Sequence, residues 1–338
     1  MPKLLLLVAY HDANVIGSWK RVWVGTRKEV TILKCVQLQH DSPGLPLLPP
    51  DVIEKSTDNS CDGTPRTTRF KDIAKARAEY NRLRLEKLSV RRQRKFVFGA
   101  MYESIFPGSF LVDPFGCDYD LVVTLPSGKE SVVRVRLVSP DEGIDKKNLL
   151  TSIVELGRSL SGPGNCRGHR VGDGGTMHAI GLKSASSKEL YKINESTCSK
   201  AKTASTVMRE WLEDNMRDTL RLILSVDESF KVVYPDSMPR GPGSRMMVSV
   251  NLANSPHYDM GDTAESIGIW VEEKPGQSEN WYFVLPNVSC GGSHGVLIKL
   301  LHGVVISWDG RQIYHCTSKT NQGDGNKTYG CMWSSSRE

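Results

Sequence analysis

From Met246 to Trp333 the chain reads as seven short β-rich runs: Met246–Leu252, Ser266–Val271, Trp281–Leu285, Gly295–Leu300, Val304–Trp308, Gln312–Cys316 and Lys327–Trp333. Turn signals separate them at close spacing, and a series of that kind has few solutions. The strands must bury one face against a second sheet or close on themselves, which predicts a sandwich or barrel. The upstream texture differs. Val207, Trp211, Met216, Leu220 and Leu224 recur at helical spacing within Ser205–Leu224, so that segment is expected to be a helix with Trp211 in the core. Helix before and strands after place the chain in the α+β class. Leu121–Val123 and Val132–Val135 flank Pro126-Ser127-Gly128-Lys129 and predict a hairpin. Ser161–Gly175 holds six glycines, lacks GxGxxG and reads as a loop.

Charge divides the chain a second way. The formal net charge is +6. Between Arg66 and Lys95 twelve Lys and Arg face only three acids, Asp72, Glu79 and Glu86, so this stretch carries +9 and the remainder is slightly acidic. No Pro or Gly interrupts Thr67–Phe98, and Ile73, Ala76, Tyr80, Leu83 and Leu88 approximate one apolar stripe, which predicts a basic helix over residues 63–100. Such a helix is either a solvated face packed on the body by its stripe or a handle for phosphates. Residues 1–62 form a poorly defined N-terminal region, with strand-like stretches at Leu4–Ala9 and Val22–Val36 and a four-proline loop at Ser42–Pro50. Residues 101–338 form the main domain, with the β-rich core at about 245–335.

No apolar run reaches the length of a membrane span, and the six apolar residues Leu4–Ala9 read as a strand rather than a signal peptide. The eight cysteines include no CxxC pair, so a zinc ribbon is unsupported and reduced thiols in an intracellular protein are expected. Arg91-Arg92-Gln93-Arg94-Lys95 resembles a nuclear-import cluster, which would direct the protein to the nucleus of a eukaryotic cell.

The first run leads into Asn254-Ser255-Pro256-His257-Tyr258-Asp259. Alternation along a strand puts His257 and Asp259 on the same side of the backbone, where imidazole and carboxylate can share one metal ion. His315, 56 residues after Asp259, is a candidate third ligand on a later strand, and His302, 43 residues after, competes with it. Two His and one carboxylate form the facial triad of non-haem Fe(II) oxygenases, which leaves coordination positions open. A lone His-x-Asp is a weak signal; its conjunction with a β-rich region and a later His is the sharper one. Lys327 follows His315 by 12 residues, where a cation would pair with a co-substrate carboxylate. Cys316 alternates away from the metal, into packing.

These residues carry a resemblance. Asn251–Trp333, and within it Gly303-Val304-Val305-Ile306-Ser307-Trp308-Asp309-Gly310 followed by His315, resembles the double-stranded β-helix (jelly-roll) core of 2-oxoglutarate/Fe(II) dioxygenases. It is most similar to the TET/JBP-like group, including algal and protist forms that modify 5-methylcytosine, and it covers about the last quarter of the chain. The resemblance implies such a core with flanking N-terminal helices, and Fe(II) held by His257, Asp259 and His315. His315 is preferred over His302 because the family's ligand follows the Trp-x-Gly turn. It further implies co-substrate contacts from Lys327, Asp262, Asn254 and Arg311, with 2-oxoglutarate as co-substrate or ascorbate as the alternative. Asp262 reads equally well as an ordinary turn residue. Trp270, Trp281, Tyr282, Phe283 and Trp308 concentrate aromatics in the barrel; most read as core, with one of them a candidate to stack on a flipped base. The expected function is Fe(II)-dependent oxidation of a methylated base in nucleic acid, DNA in the first instance, with Arg84, Arg91, Arg92, Arg94 and Lys95 as phosphate contacts. The alternatives are a hydroxylase of the same fold acting on a protein or small molecule, a cupin-like hydrolase or isomerase using another metal, and an inactive DNA-binding protein derived from a mobile element.

Overall fold

The computed structural model describes residues 19–24, 28–38, 109–138, 144–160, 164, 175–183, 189–229, 241–254, 257–259, 261–262, 265–279, 281–318, 321–322 and 325–335. The expected strand at Leu4–Ala9, the proline loop and the basic helix, with Arg84, Arg91, Arg92, Arg94 and Lys95, lie outside the described residues. In chain order the elements are β1 (Trp19–Val24), β2 (Lys28–Gln37), β3 (Phe110–Val112), β4 (Asp118–Thr124), β5 (Glu130–Leu137), α1 (Ile144–Ser159), β6 (Thr176–Gly181), α2 (Glu195–Asn215), α3 (Arg217–Ser229) and β7 (Arg245–Val250). There follow β8 (Ser266–Glu272), β9 (Ser278–Glu279), β10 (Tyr282–Cys290), β11 (Ser293–Lys299), β12 (Val304–Trp308), β13 (Cys316–Thr317), β14 (Asn321–Gln322) and β15 (Thr328–Ser334). The class is α+β, as expected. Among the described residues no helix is long and apolar enough to cross a membrane.

Six of the seven β-rich runs fall on strands; the run Gln312–Cys316 is a turn that joins the ladder at His315 and becomes strand only at Cys316–Thr317. Their pairing makes a double-stranded β-helix. β12, β8, β15 and β7 lie side by side in one layer. The other layer holds β11, β10 and β13, and the segment at 254–259 pairs with the chain around His315 at its edge. After β7 the chain crosses to that segment, returns as β8, crosses to the β10–β11 hairpin, returns as β12, crosses to β13 and returns as β15. β2, β4 and β5 continue the sheet from β10 round to β12, in the order β10-β2-β4-β5-β12. The predicted hairpin is β4–β5, closed by a turn in which Gly128 adopts φ +81°.

Strand alternation sorts the side chains into two cores. Between the layers, Trp270, Phe283, Trp308, Val304 and Ile306 pack with Leu121, Val123 and Val135 of the added strands. On the outer face of the first layer, Tyr329, Cys331 and Trp333 of β15 turn to the helices and meet Leu149, Ile153, Leu156, Trp211 and Leu212. The helix expected at 205–224 is two helices. α2 begins ten residues earlier, where the Asn194 side chain accepts the Thr197 N–H at 2.7 Å and caps it, and the axis breaks at Met216 before α3. Trp211 is in the core, as expected.

α1 lies so close to β15 that a Cβ on Gly157 would come within 2.3–2.6 Å of the Tyr329 ring. Tyr329 is fully buried, and its hydroxyl donates to Glu273 Oε2 at 2.7 Å while Arg158 donates to Glu273 Oε1 at 2.9 Å, so the ring has little room to yield. Gly157→Ala should therefore destabilise the fold by about 1–3 kcal/mol despite the better helix propensity of alanine. A urea midpoint equal to or above the parent's would contradict this packing.

Candidate metal centre

The centre starts from a short antiparallel ladder at the edge of the second layer. His257 N–H donates to His315 O at 2.9 Å and His315 N–H returns to His257 O at 3.1 Å. Asp259 N–H donates to Gly310 O at 2.7 Å, and Asn254 N–H to Thr317 O at 3.1 Å. The Asn254 side chain extends this ladder, its Oδ1 accepting Thr317 N–H at 2.7 Å. Asn254 is thus a latch between the two segments rather than a group turned to the metal position. One residue of alternation then puts the His257, Asp259 and His315 side chains on one face, and their ligand atoms all lie within 4.8 Å of one another.

The electrostatics suit a cation. His257 Nε2 is 3.3 Å from Asp259 Oδ1, and His315 Nε2 is 3.2 Å from Asp259 Oδ2. Burial works against ionisation of Asp259, but hydrogen bonds and charge from the His257 and His315 rings in their protonated form outweigh it and hold the carboxyl below the usual carboxylate range. His315 Nδ1 lies 2.8 Å from the Ile313 carbonyl, which can only accept, so the proton of a neutral ring sits on Nδ1 and the Nε2 lone pair points at the carboxylate. Asp259 Oδ2 is shut off from solvent and accepts no hydrogen bond among the described residues. A lone pair facing an unsatisfied carboxylate oxygen is unfavourable until a cation lies between them. Two imidazoles and one carboxylate suit Fe(II), and the residues present fit it.

The walls are specific. The His315 ring stacks on Phe283, with centroids 5.3 Å apart and planes at 20°, and meets Trp308 edge-on at 5.2 Å. Trp270, Trp281, Phe283 and Trp308 are all buried in the core between the layers, so the described structure offers none of them as an open stacking surface. Cys316 is fully buried in the opposite direction, as alternation predicts, and burial pushes its thiol well up.

The other expected residues are placed differently. His302 Nδ1 accepts the Glu272 N–H at 3.1 Å, which ties it to the end of β8, and it is not part of the cluster. Asp262 is buried, pairs with Arg245 and accepts from Ser266 Oγ at 2.9 Å, while its N–H donates to Asp259 O at 3.0 Å. Burial pushes its carboxyl up to about 6, with the Asp259 charge adding and Arg245 opposing. Asp262 therefore braces the turn that carries Asp259. Lys327 is exposed just ahead of β15, near the Glu273 carboxylate rather than enclosed with the triad. Arg311 sits in the turn after Gly310, its N–H donating to Asp309 Oδ1 at 3.0 Å. Sequence reasoning does not find Arg245 and Ser266 as partners of the metal turn. A lone Arg opening a strand carries no local signal, and pairing over 17 residues emerges only once β7 and β8 share a layer.

No family model matches the chain, and no curated protein matches it. Among solved structures it is similar to NgTET1 in complex with 5mC DNA, at 10% identity and a TM-score of 0.36, over 69% of this chain and 84% of that one. It is similar to a 2OG-Fe(II) oxygenase family oxidoreductase from Burkholderia pseudomallei, at 13% identity and a TM-score of 0.33, over 61% and 84%. It is also similar to JOX2 in complex with 2OG, Fe and JA, at 12% identity and a TM-score of 0.30, over 60% and 67%. All three overlaps are remote.

Gly310 makes the cluster testable without removing a ligand. A Cβ there would lie 3.0 Å from Asp259 Cβ and 3.1 Å from Asp259 Oδ2. Gly310→Ala should displace the carboxylate and weaken Mn(II) or Co(II) binding, measured by anaerobic calorimetry, about tenfold or more. Parental affinity in a folded Gly310→Ala chain would argue against metal binding at this carboxylate.

Proposed function

We propose that the chain is an Fe(II)-dependent dioxygenase that oxidises a methylated base, of the 5-methylcytosine kind, in nucleic acid with 2-oxoglutarate or ascorbate as co-substrate. The observation that carries the enzymatic part is the convergence of His257, Asp259 and His315 on one point, with Asp259 Oδ2 buried and unbonded. Iron held there would supply the redox chemistry that lets O₂ attack an unactivated C–H bond. The chain's own residues do the rest. The Ile313 carbonyl fixes the His315 ring, Asp262 and Arg245 brace the Asp259 turn, and Phe283 and Trp308 keep the inner side of the site dry. Lys327 is exposed and Arg245, beside the Asp259 turn, is paired with Asp262, so the assay below compares both co-substrates.

The nucleic-acid part is supported by the +9 segment and by the resemblance of the last quarter of the chain to base-modifying dioxygenases. Twelve Lys and Arg can replace condensed counterions along a phosphate backbone, while a base leaves the stack to reach an enclosed metal. β2 ends beside the turn that follows Gly310. Gln37 Nε2 donates to Gln312 O at 2.9 Å in the turn that follows Gly310, and Leu38 N–H donates to Asn287 O at 2.8 Å. Arg91, Arg92, Arg94 and Lys95 would serve as phosphate contacts, and in a eukaryotic cell as an import signal.

Two experiments test the reading. Methylated DNA incubated with Fe(II), O₂ and either co-substrate should yield an oxidised or enlarged nucleoside by mass spectrometry, and His257→Ala should abolish that product. Unchanged nucleosides, with co-substrate still consumed, would move the substrate to a protein or small molecule. Replacing Arg91, Arg92, Arg94 and Lys95 with Gln should weaken DNA binding and flatten its salt dependence by about one unit for each phosphate no longer neutralised. Unaltered binding and slope would remove this segment from the interface.

A further inference from the structure

Away from the metal position, two cysteines face each other across a strand pair. β2 and β10 pair over only three positions, Gln37 with Val288, Val36 with Ser289 and Cys35 with Cys290. The Leu38 N–H donates to Asn287 O at 2.8 Å, which marks the next position along as a hydrogen-bonded pair. Alternation from there makes Cys35–Cys290 a non-hydrogen-bonded pair, the closer kind, with Cα atoms typically about 4.5 Å apart. That spacing lies within the range a disulfide spans, about 4.4–6.8 Å. Both thiols are free and buried, at 2% and 4% exposure. Cys290 closes β10 next to the exposed Gly291 and Gly292 of the β10–β11 turn, so fraying of that turn admits a small oxidant.

We infer that Cys35 and Cys290 form a redox-active dithiol pair that closes to a disulfide with a peroxide as oxidant, fastening β2 to the layer that carries His315. The thiol contact is polarised in the required sense. The hydrogen bond from Cys35 lowers the Cys290 thiol against the opposing effect of burial, while that hydrogen bond and burial raise Cys35. Cys290 as thiolate attacks one peroxide oxygen, an S–O bond forms, the O–O bond breaks, and the leaving hydroxide takes up the proton that Cys290 released, giving a sulfenic acid and water. The Cys35 sulfur then attacks the Cys290 sulfur, the S–S bond forms, the S–O bond breaks, and the departing hydroxide takes the Cys35 proton. Two thiols are oxidised, one peroxide is reduced and two waters are released. The bond closes the three-position seam where β2 meets the second layer, beside the Gln37–Gln312 contact.

The test is peptide mapping of the folded, reduced full chain after mild peroxide treatment and alkylation. The expected product joins the Cys35 and Cys290 peptides with the loss of two hydrogens and is reversed by dithiothreitol. The oxidised chain should melt higher, by about 5 °C or more, because the link closes a long loop. Cys290→Ser and Cys35→Ser should each abolish the cross-link and the shift, and where a variant fails to fold the parental peptide map decides alone. Complete alkylation of both cysteines after treatment and unfolding, or a link from either one to a different cysteine, would overturn the assignment.

Discussion

The antiparallel bridge between His257 and His315 is the interaction on which the rest depends. Two reciprocal backbone hydrogen bonds, with Asp259 bonded to Gly310 and Asn254 to Thr317 on either side, fix the register of two segments nearly sixty residues apart. A slip of one residue would turn His315 into the packing now filled by Cys316 and bring the Cys316 thiol to the metal position. The register is held because both faces of this edge are committed. Cys316 is fully buried on one side, and Phe283 and Trp308 contact His315 on the other.

Concentrating charge at one end of a β-helix needs a brace. The Asp259 turn receives it from Asp262, which is held by Arg245 at the start of β7 and Ser266 at the start of β8. The two carboxylates thus have opposite roles. Asp259 keeps one oxygen unsatisfied and faces two imidazoles, while both Asp262 oxygens are used within the protein. A neighbouring acid already neutralised by arginine stabilises the turn without competing for a cation.

Much of this is legible in the sequence, and for physical reasons. Short β-rich runs bounded by turn signals are a local signal, so six of the seven runs fall on strands and Gln312–Cys316 reaches one only at its end; His-x-Asp at a strand end forces two side chains to one face without any tertiary information. Trp211 and Cys316 are readable from spacing alone. The illegible parts depend on distant partners or on weak local patterns. α2 begins ten residues before its apolar spacing shows, because Ser, Lys and Thr fill its first turns and only the Asn194 cap marks the start. α1, with Leu149, Leu150, Ile153 and Leu156 in the core, is not among the helices read from the sequence. Sequence distance places Lys327 beside the metal, yet whether a residue at the mouth of a strand faces in or out is decided by the strand's final register, and it faces out.

The central claim is that one metal ion is held by two imidazoles and one carboxylate at the edge of the second layer. Anaerobic titration of the full chain with Fe(II) measures it most directly. The account predicts a single tight site per chain that disappears when His257 and His315 are both replaced by Ala in a chain that still folds. Tight binding of one Fe(II) that survives the double replacement would contradict it.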